Sequence, residues 1–257
     1  MDVAALLKPY LTPADPPLDL PEVLKLGLLG DQVRVFHVCG ILTTTSSWAD
    51  VWPSGGTRTN PSSAASVLVA SSLSSDNASG NGARRVEVYG WDSSWDLAAE
   101  TVALNGATSV ATSTSYSRVI SLRVTEAGSN GSNLGTISAT LSSQTMATIS
   151  PGDNASLHSH FTIPPAHIGY VYDWRFSAAK GGGEIDHGAI RFCHRPDNLL
   201  FYPHEEHMLT EGHGLNRSGP LLVAEAEAEL VVRARSTGSG SNRDVTTSYQ
   251  VAVFPGT

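Results

Sequence analysis

The sequence predicts an all-β fold: a β-sandwich or jelly roll with an extended N-terminal arm. Three observations predict it. From Val33 onward, short β-branched or aromatic runs alternate with clusters of Gly, Pro, Asn and Ser. Charged residues are only 16% of the 257, so the polar surface falls to Ser, Thr, Asn and Gly, which suit strands and turns better than solvated helices. No repeat of roughly 20–50 residues is present, which argues against a propeller or a solenoid. Hydrophobic residues are 40%, enough for a sizeable core.

Residues 1–32 read as the arm. Residues 2–9 suit a short helix, whereas TPADPPLDLP carries Pro13, Pro16, Pro17 and Pro21, which fix φ and remove backbone donors. EVLKLGLLGDQ adds another turn of helix. An apolar extended arm lies on its own domain or on a neighbouring subunit. Its candidate contact residues are Leu18, Leu20, Val23, Leu24 and Leu26, followed by Trp48 and Trp52 as interface aromatics. The simpler reading of each is intramolecular core.

Residues 33–257 read as one β-sandwich, jelly-roll-like. Its expected strands are VRVFHV, SVLVASS, RRVEVYGW, ETVAL, SRVISLRV, GTISATL, SLHSHFTI, GYVYDWRF, AIRFCH and LLFY. Asn105-Gly106 is a hairpin signal, SNGSN at 129–133 a Gly-rich turn, and AAKGGGEID at 178–186 a long flexible loop. In VAEAEAELVVRARS, the alanines and glutamates favour helix by propensity, but the strict period of two reads as one long strand with a charged face. TGSGSNRD is then expected to close a hairpin with VTTSYQVAVF.

Several stretches invite a chemical reading. Gly152-x5-His158-x-His160 is the first half of a cupin metal motif, because histidines two apart project from one face of a strand. The carboxylate that should follow is missing: Phe161, Thr162, Ile163, Pro164 and Pro165 come next. The simpler reading is a half-polar strand with solvated or hydrogen-bonded histidines. His204-Glu-Glu-His207 is one residue short of the zinc-protease spacing, and Pro203 suggests a polar loop. Trp91, Asp92, Trp95 and Asp96 suit a sugar platform, or more simply core. No Gly-x-Ser-x-Gly elbow or P-loop is present. No catalytic residue, metal ligand or cofactor is therefore assigned.

The formal charge of −8 argues against a nucleic-acid partner, since a phosphate-binding face needs clustered Lys and Arg. No segment reaches the ~20 apolar residues of a membrane span. MDVAALLKPYL does not read as a signal peptide, so synthesis in a cytoplasm is expected. Cys39 and Cys193 are too few for a disulfide framework and are expected to be buried free thiols.

One set of motifs belongs together. It comprises Trp52, Gly55-Gly56, Pro61, Ser71-Ser72, Asp76, Gly80-x-Gly82-Ala83-Arg84, Val86-x-Val88 and Gly90-x-Asp92. It continues with Glu100-Thr101-Val102, Leu104-Asn105-Gly106, Ala127-Gly128-Ser129, Gly135-x-Ile137 and the FTIPPAHIGYV element. Across about residues 35–175 this set resembles a group of virion structural proteins from tailed bacteriophages, including phages of cyanobacteria and marine bacteria. The resemblance implies a non-enzymatic virion part assembled in a host cytoplasm. The role it implies best is a capsid decoration or cement protein, a trimer binding across copies of the major capsid protein. A head–tail connector, tail or spike protein is the alternative, and a cupin-like metal-binding protein the remote one.

Overall fold

The computed structural model describes residues 33–178, 188–195, 202–209, 214–236 and 244–256, and all the regular structure among them is β. The arm, with Leu18, Leu20, Val23, Leu24 and Leu26, lies outside the described residues, as do the two helical readings and most of the 178–186 loop.

Eight strands build two facing sheets. The first holds β1 (Arg34–Thr43), β10 (His167–Ala178), β13 (Gly214–Ala224) and β15 (Asp244–Pro255), in the order β1-β15-β10-β13. The second holds β2 (Ala49–Asp50), β11 (Gly188–Arg195), β12 (Tyr202–Leu209) and β14 (Glu229–Ser236), in the order β12-β11-β14-β2. Within the two sheets β1 pairs with β15, β2 with β14, β10 with β13 and β11 with β12. These pairs nest, first strand with last and inward from there, as in one long hairpin rolled up. That is a jelly roll.

The alternation along each strand fills the space between the sheets. Phe36, Val38 and Leu42 point inward from β1, as do Trp174 and Phe176 from β10, Ile190 and Phe192 from β11, and Leu230, Val232 and Ala234 from β14. The Trp174 indole N–H donates to Thr247 Oγ1 at 3.0 Å, so this large ring is buried without an orphaned donor.

Between β2 and β10 the chain makes a third sheet, six-stranded and antiparallel, with its own core. Its strands are β3 (Ala65–Ser71), β4 (Ala83–Asp92), β5 (Leu97–Ala103), β6 (Val110–Ala127), β7 (Ile137–Leu141) and β8 (Gln144–Ile149), in the order β5-β4-β6-β3-β7-β8. Val67, Val86, Val88, Tyr116, Leu122, Ile137 and Met146 form the centre of that core. The short strand β9 (Phe161–Thr162) brings the chain back against β14.

Four expectations are corrected. VAEAEAELVVRARS is not one strand: β13 ends at Ala224, and a corner at 225–228, with Glu227 at φ 63°, separates it from β14. β14 and β15 do not form a hairpin, because β14 pairs with β11 and β2 while β15 pairs with β1 and β10 in the other sheet. Asn105-Gly106 is a tight turn with Gly106 at φ 58°, but β4 lies between the strands it connects, so they are not hairpin partners. FYPHEEHML is a strand from Tyr202 rather than a loop, with a register shift opposite Pro203 that accommodates the missing N–H.

Candidate interaction site

The inserted sheet leaves and re-enters the jelly roll along one edge of β14, and the sequence concentrates its buried polar groups there. Val51 N–H donates to Val232 O at 2.8 Å as the chain leaves. On its return Ser159 N–H donates to Val51 O at 3.0 Å, and Ser159 Oγ bonds both Val232 O at 3.0 Å and Val232 N at 3.1 Å. The Tyr249 hydroxyl donates to Ser159 O at 3.0 Å from the facing sheet. Only glycine fits at position 40, where a Cβ would lie 2.4 Å from Val51 O and 2.9 Å from Ser159 N.

His158 and His160 sit in this returning segment, and only Phe161–Thr162 of SLHSHFTI is strand. Of the expected solvated or hydrogen-bonded histidines, neither is solvated: they are 4% and 5% exposed, with ring centroids 5.8 Å apart. Burial, with the neighbouring Arg58 guanidinium, lowers the His160 pKa to about 4 against the opposing pull of Asp50. Burial, then Arg58 and His160, hold His158 well below the ordinary histidine range. A neutral His160 therefore donates from Nε2 to Asp50 Oδ2 at 2.8 Å.

Asp50 is fully buried. Burial works against its ionised form, but the bond from His160, the Arg58 N–H at 2.7 Å and the Arg233 guanidinium, with Nε 3.1 Å from Oδ1, hold its carboxyl below the usual range. Burial brings Arg58 down to about 10, partly offset by Glu229 and Asp50, and it donates to Met146 O at 2.8 Å. Glu229 accepts from Asn60 at 2.6 Å, pairs with Arg195, and lies 3.7 Å from Arg118. The result is a largely buried charged network that ties β2, the insert and β14 together.

This arrangement gives His160 a structural task. His160 Nε2 is held by Asp50, and a cation beside both rings would face the Arg58 guanidinium. No group of three or more His, Cys, Asp or Glu side chains is placed to hold a metal among the described residues. His204 and His207, three apart on a strand, point to opposite sides. His204 bonds Leu221 O at 2.7 Å, whereas His207 bonds Glu205 at 2.6 Å and packs on Trp174 and Phe176.

The aromatic candidates separate. Trp52 is 5% exposed, donates to Gly55 O at 2.7 Å and meets His160 edge-on. Trp48 is half-buried and carries the Arg191 and Arg235 guanidinium carbons 3.9 and 4.8 Å from its ring centroid. Trp91 is core, donating to Thr162 O at 3.1 Å. Asp92 caps the β4–β5 turn through the Ser94 and Asp96 N–H groups at 2.8 and 3.0 Å. Cys193 is buried, its pKa raised to about 11 by burial, but Cys39 is exposed on β1, which corrects the expectation of two buried thiols.

Several of the sequence motifs meet at Asp76. Its carboxylate accepts from Ser71 Oγ at 2.6 Å, Ala83 N at 2.8 Å, Leu134 N at 2.9 Å and Gly135 N at 2.7 Å. Gly82 lies so close that a Cβ there would stand 2.0 Å from Asp76 Oδ1. The spacing Ser71…Asp76…Gly82-Ala83…Gly135 is thus one knot in the insert.

The fold defines a jelly roll carrying an inserted β-sheet. No protein-family model matches the chain, and no curated protein does. Three solved structures of infectious bursal disease virus are similar to it. The Gx strain structure is 10% identical, with 99% of this chain and 78% of that chain covered at a TM-score of 0.26. The VP2 subviral particle is 10% identical over 99% and 77%, at 0.23. The virus-derived T=1 particle is 11% identical over 98% and 74%, at 0.24. At such scores the likeness carries no argument about this chain.

Proposed function

We propose that this chain is a structural protein of a virion, a decoration or cement protein that binds across neighbouring major capsid proteins on a tailed-phage shell. The observation that carries the reading is the topology, a complete jelly roll, an architecture used by viral capsid domains, with a second β unit inserted at one edge. The sequence resemblance to phage virion proteins points the same way. The buried Asp50, Ser159, His160 and Glu229 fit the reading too, because they join neighbouring segments of the fold.

The mechanism is burial of apolar and hydrogen-bonding surface across subunit seams, on the order of 1,200–2,000 Å² for a specific interface. The arm residues Leu18, Leu20, Val23, Leu24 and Leu26 supply part of that surface. The test is co-sedimentation of the purified protein with shells that lack it. Saturable binding, with shells that then survive heating better, is expected, and deletion of residues 1–30 weakens binding while the β-sheet circular dichroism persists. Absence of binding to intact shells, or binding confined to the portal vertex, overturns the reading in favour of the connector.

A further inference from the structure

The second sheet of the jelly roll carries an arginine cluster with too little negative charge to balance it. Arg191 on β11 stands between Arg233 on β14 and Glu206 on β12, directly opposite each, and Arg235 lies two residues beyond Arg233 on the same face. Like charges in directly opposed positions destabilise a sheet. Arg233 has its counter-ion in Asp50, 3.1 Å away, and donates to Thr57 at 3.0 Å. Arg191 has Glu206 opposite it in register on β12 but forms no ion pair, and Arg235 has no carboxylate beside it; among the described residues neither is ion-paired, and each rests on the Trp48 ring. Two guanidiniums on one indole, in a chain of formal charge −8, are a local conflict of the kind that marks a functional surface.

The complement is at the other end of the same strand. Glu225 and Glu227 are exposed at the corner that precedes β14. The corner is rigid: Ala228 N–H donates to Glu225 O at 3.3 Å, and Glu227 N–H to Ile163 O at 3.0 Å. Eight residues of extended chain from Glu227 to Arg235 span roughly 25 Å, so the two cannot meet within one molecule. A site and its complement held apart on one rigid body make a head-to-tail contact, which closes into a ring when the rotation allows.

We propose that Arg191, Arg235 and Trp48 form an acceptor for the Glu225–Glu227 corner of a second copy of this chain. The contact rests on the shell reading, since it supplies the ring that would sit on a symmetry axis of the capsid. A guanidinium that stacks on an aromatic ring while pairing with a carboxylate at its edge uses both its faces and its N–H fork.

The experiment is a charge swap on the full chain, read as solution mass by light scattering over a concentration series. The wild-type protein is expected to be a closed oligomer that dissociates as salt rises. R191E/R235E and E225R/E227R should each raise the dissociation concentration about tenfold or more, and the two sets combined in one chain should restore assembly. Circular dichroism and thermal melting establish that each variant folds, and R191Q/R235Q replaces the reversal if that one does not. A wild-type monomer at all concentrations, an oligomer indifferent to either reversal, or reversals that do not rescue each other overturn the contact. Shell co-sedimentation is a separate readout, so failure of the ring is distinguishable from failure of the decoration role.

Discussion

Replacing Asp76 should unfasten the inserted sheet. Its carboxylate is fully buried and accepts four bonds, two on each oxygen: Ala83 and Leu134 N–H on Oδ1, Ser71 Oγ and Gly135 N–H on Oδ2. A buried donor left without an acceptor costs about 1–3 kcal/mol, so Asp76→Ala, with some relaxation and water entry, should cost about 5 kcal/mol. Asp76→Asn is the informative partner. Its carbonyl can keep Ala83 and Leu134, and its amide can donate to the Ser71 hydroxyl, so only the Gly135 N–H loses its acceptor and the cost should be about 2 kcal/mol. Urea unfolding gives the totals, and hydrogen exchange at the Ala83, Leu134 and Gly135 amides locates them. Burial raises the pKa of this carboxyl, but the donors from Leu134, Ser71, Gly135 and Ala83 outweigh it and hold the value below the ordinary range. The stabilisation is therefore complete above about pH 4 and is lost as pH falls through the lower folded value. An Ala variant that loses less than about 1 kcal/mol, with the three amides still protected, would refute the reasoning.

Three further outcomes are expected. His160 is held neutral with a folded pKa of about 4, so stability should fall as pH drops from about 6.5 towards that value, by up to about 1.4 kcal/mol per pH unit. His160→Gln, which keeps a donor for Asp50, should remove its share of that slope in urea midpoints taken across the window, with the buried His158 supplying the remainder, and an unchanged slope would count against the assignment. Gly40→Ala forces a Cβ to within 2.4 Å of Val51 O and 2.9 Å of Ser159 N, both backbone atoms, and should cost about 1–3 kcal/mol in thermal unfolding. A melting temperature equal to wild type would show the β1 edge to be more yielding. One thiol per folded chain, Cys39, should react with a small disulfide reagent, while Cys193 should react only on unfolding.

The strands were legible wherever one face is buried. In β1 the inward set Phe36, Val38 and Leu42 alternates with more exposed residues, and in β14 Ala234 lies between the more exposed Arg233 and Arg235. Pairing was not legible, because local alternation carries no information about a partner 200 residues away, as between Arg34 and Val253. The corner at Glu225–Ala228 was hidden because its alanines and glutamates continue the period of two on either side, while the break is made by backbone bonds to Ile163. Pro203 misled in the opposite direction, since a proline opposite a register shift does not end a strand. The histidines stood out by spacing, but the partner of His160, Asp50, lies 110 residues earlier and no motif joins them. Arg191, Arg233 and Arg235 could have been found from the alternation alone, had β11 and β14 been known to be neighbours.

The charged junction explains how a jelly roll can carry the insert without losing its register. Along its edge β14 receives β2 at Arg233 and Ala234, then Val51 and Ser159 at Val232, then β9 at Leu230 and Glu229. The outgoing and returning chains are thus neighbours on one strand edge, and the inserted sheet closes as a loop whose ends already meet. Two tethers alone would permit a swing about that edge. Asp50, Arg58 and His160 on one side, with Glu229, Arg118 and Arg195 on the other, oppose such a swing, because any rotation leaves a buried charge without its partner. Losing one partner of such a pair costs several kcal/mol, whereas the intact pair adds little net stability over apolar packing. The network therefore acts on geometry more than on stability. A fixed angle between the two β units is what a protein needs if its contacts must repeat identically around a symmetry axis.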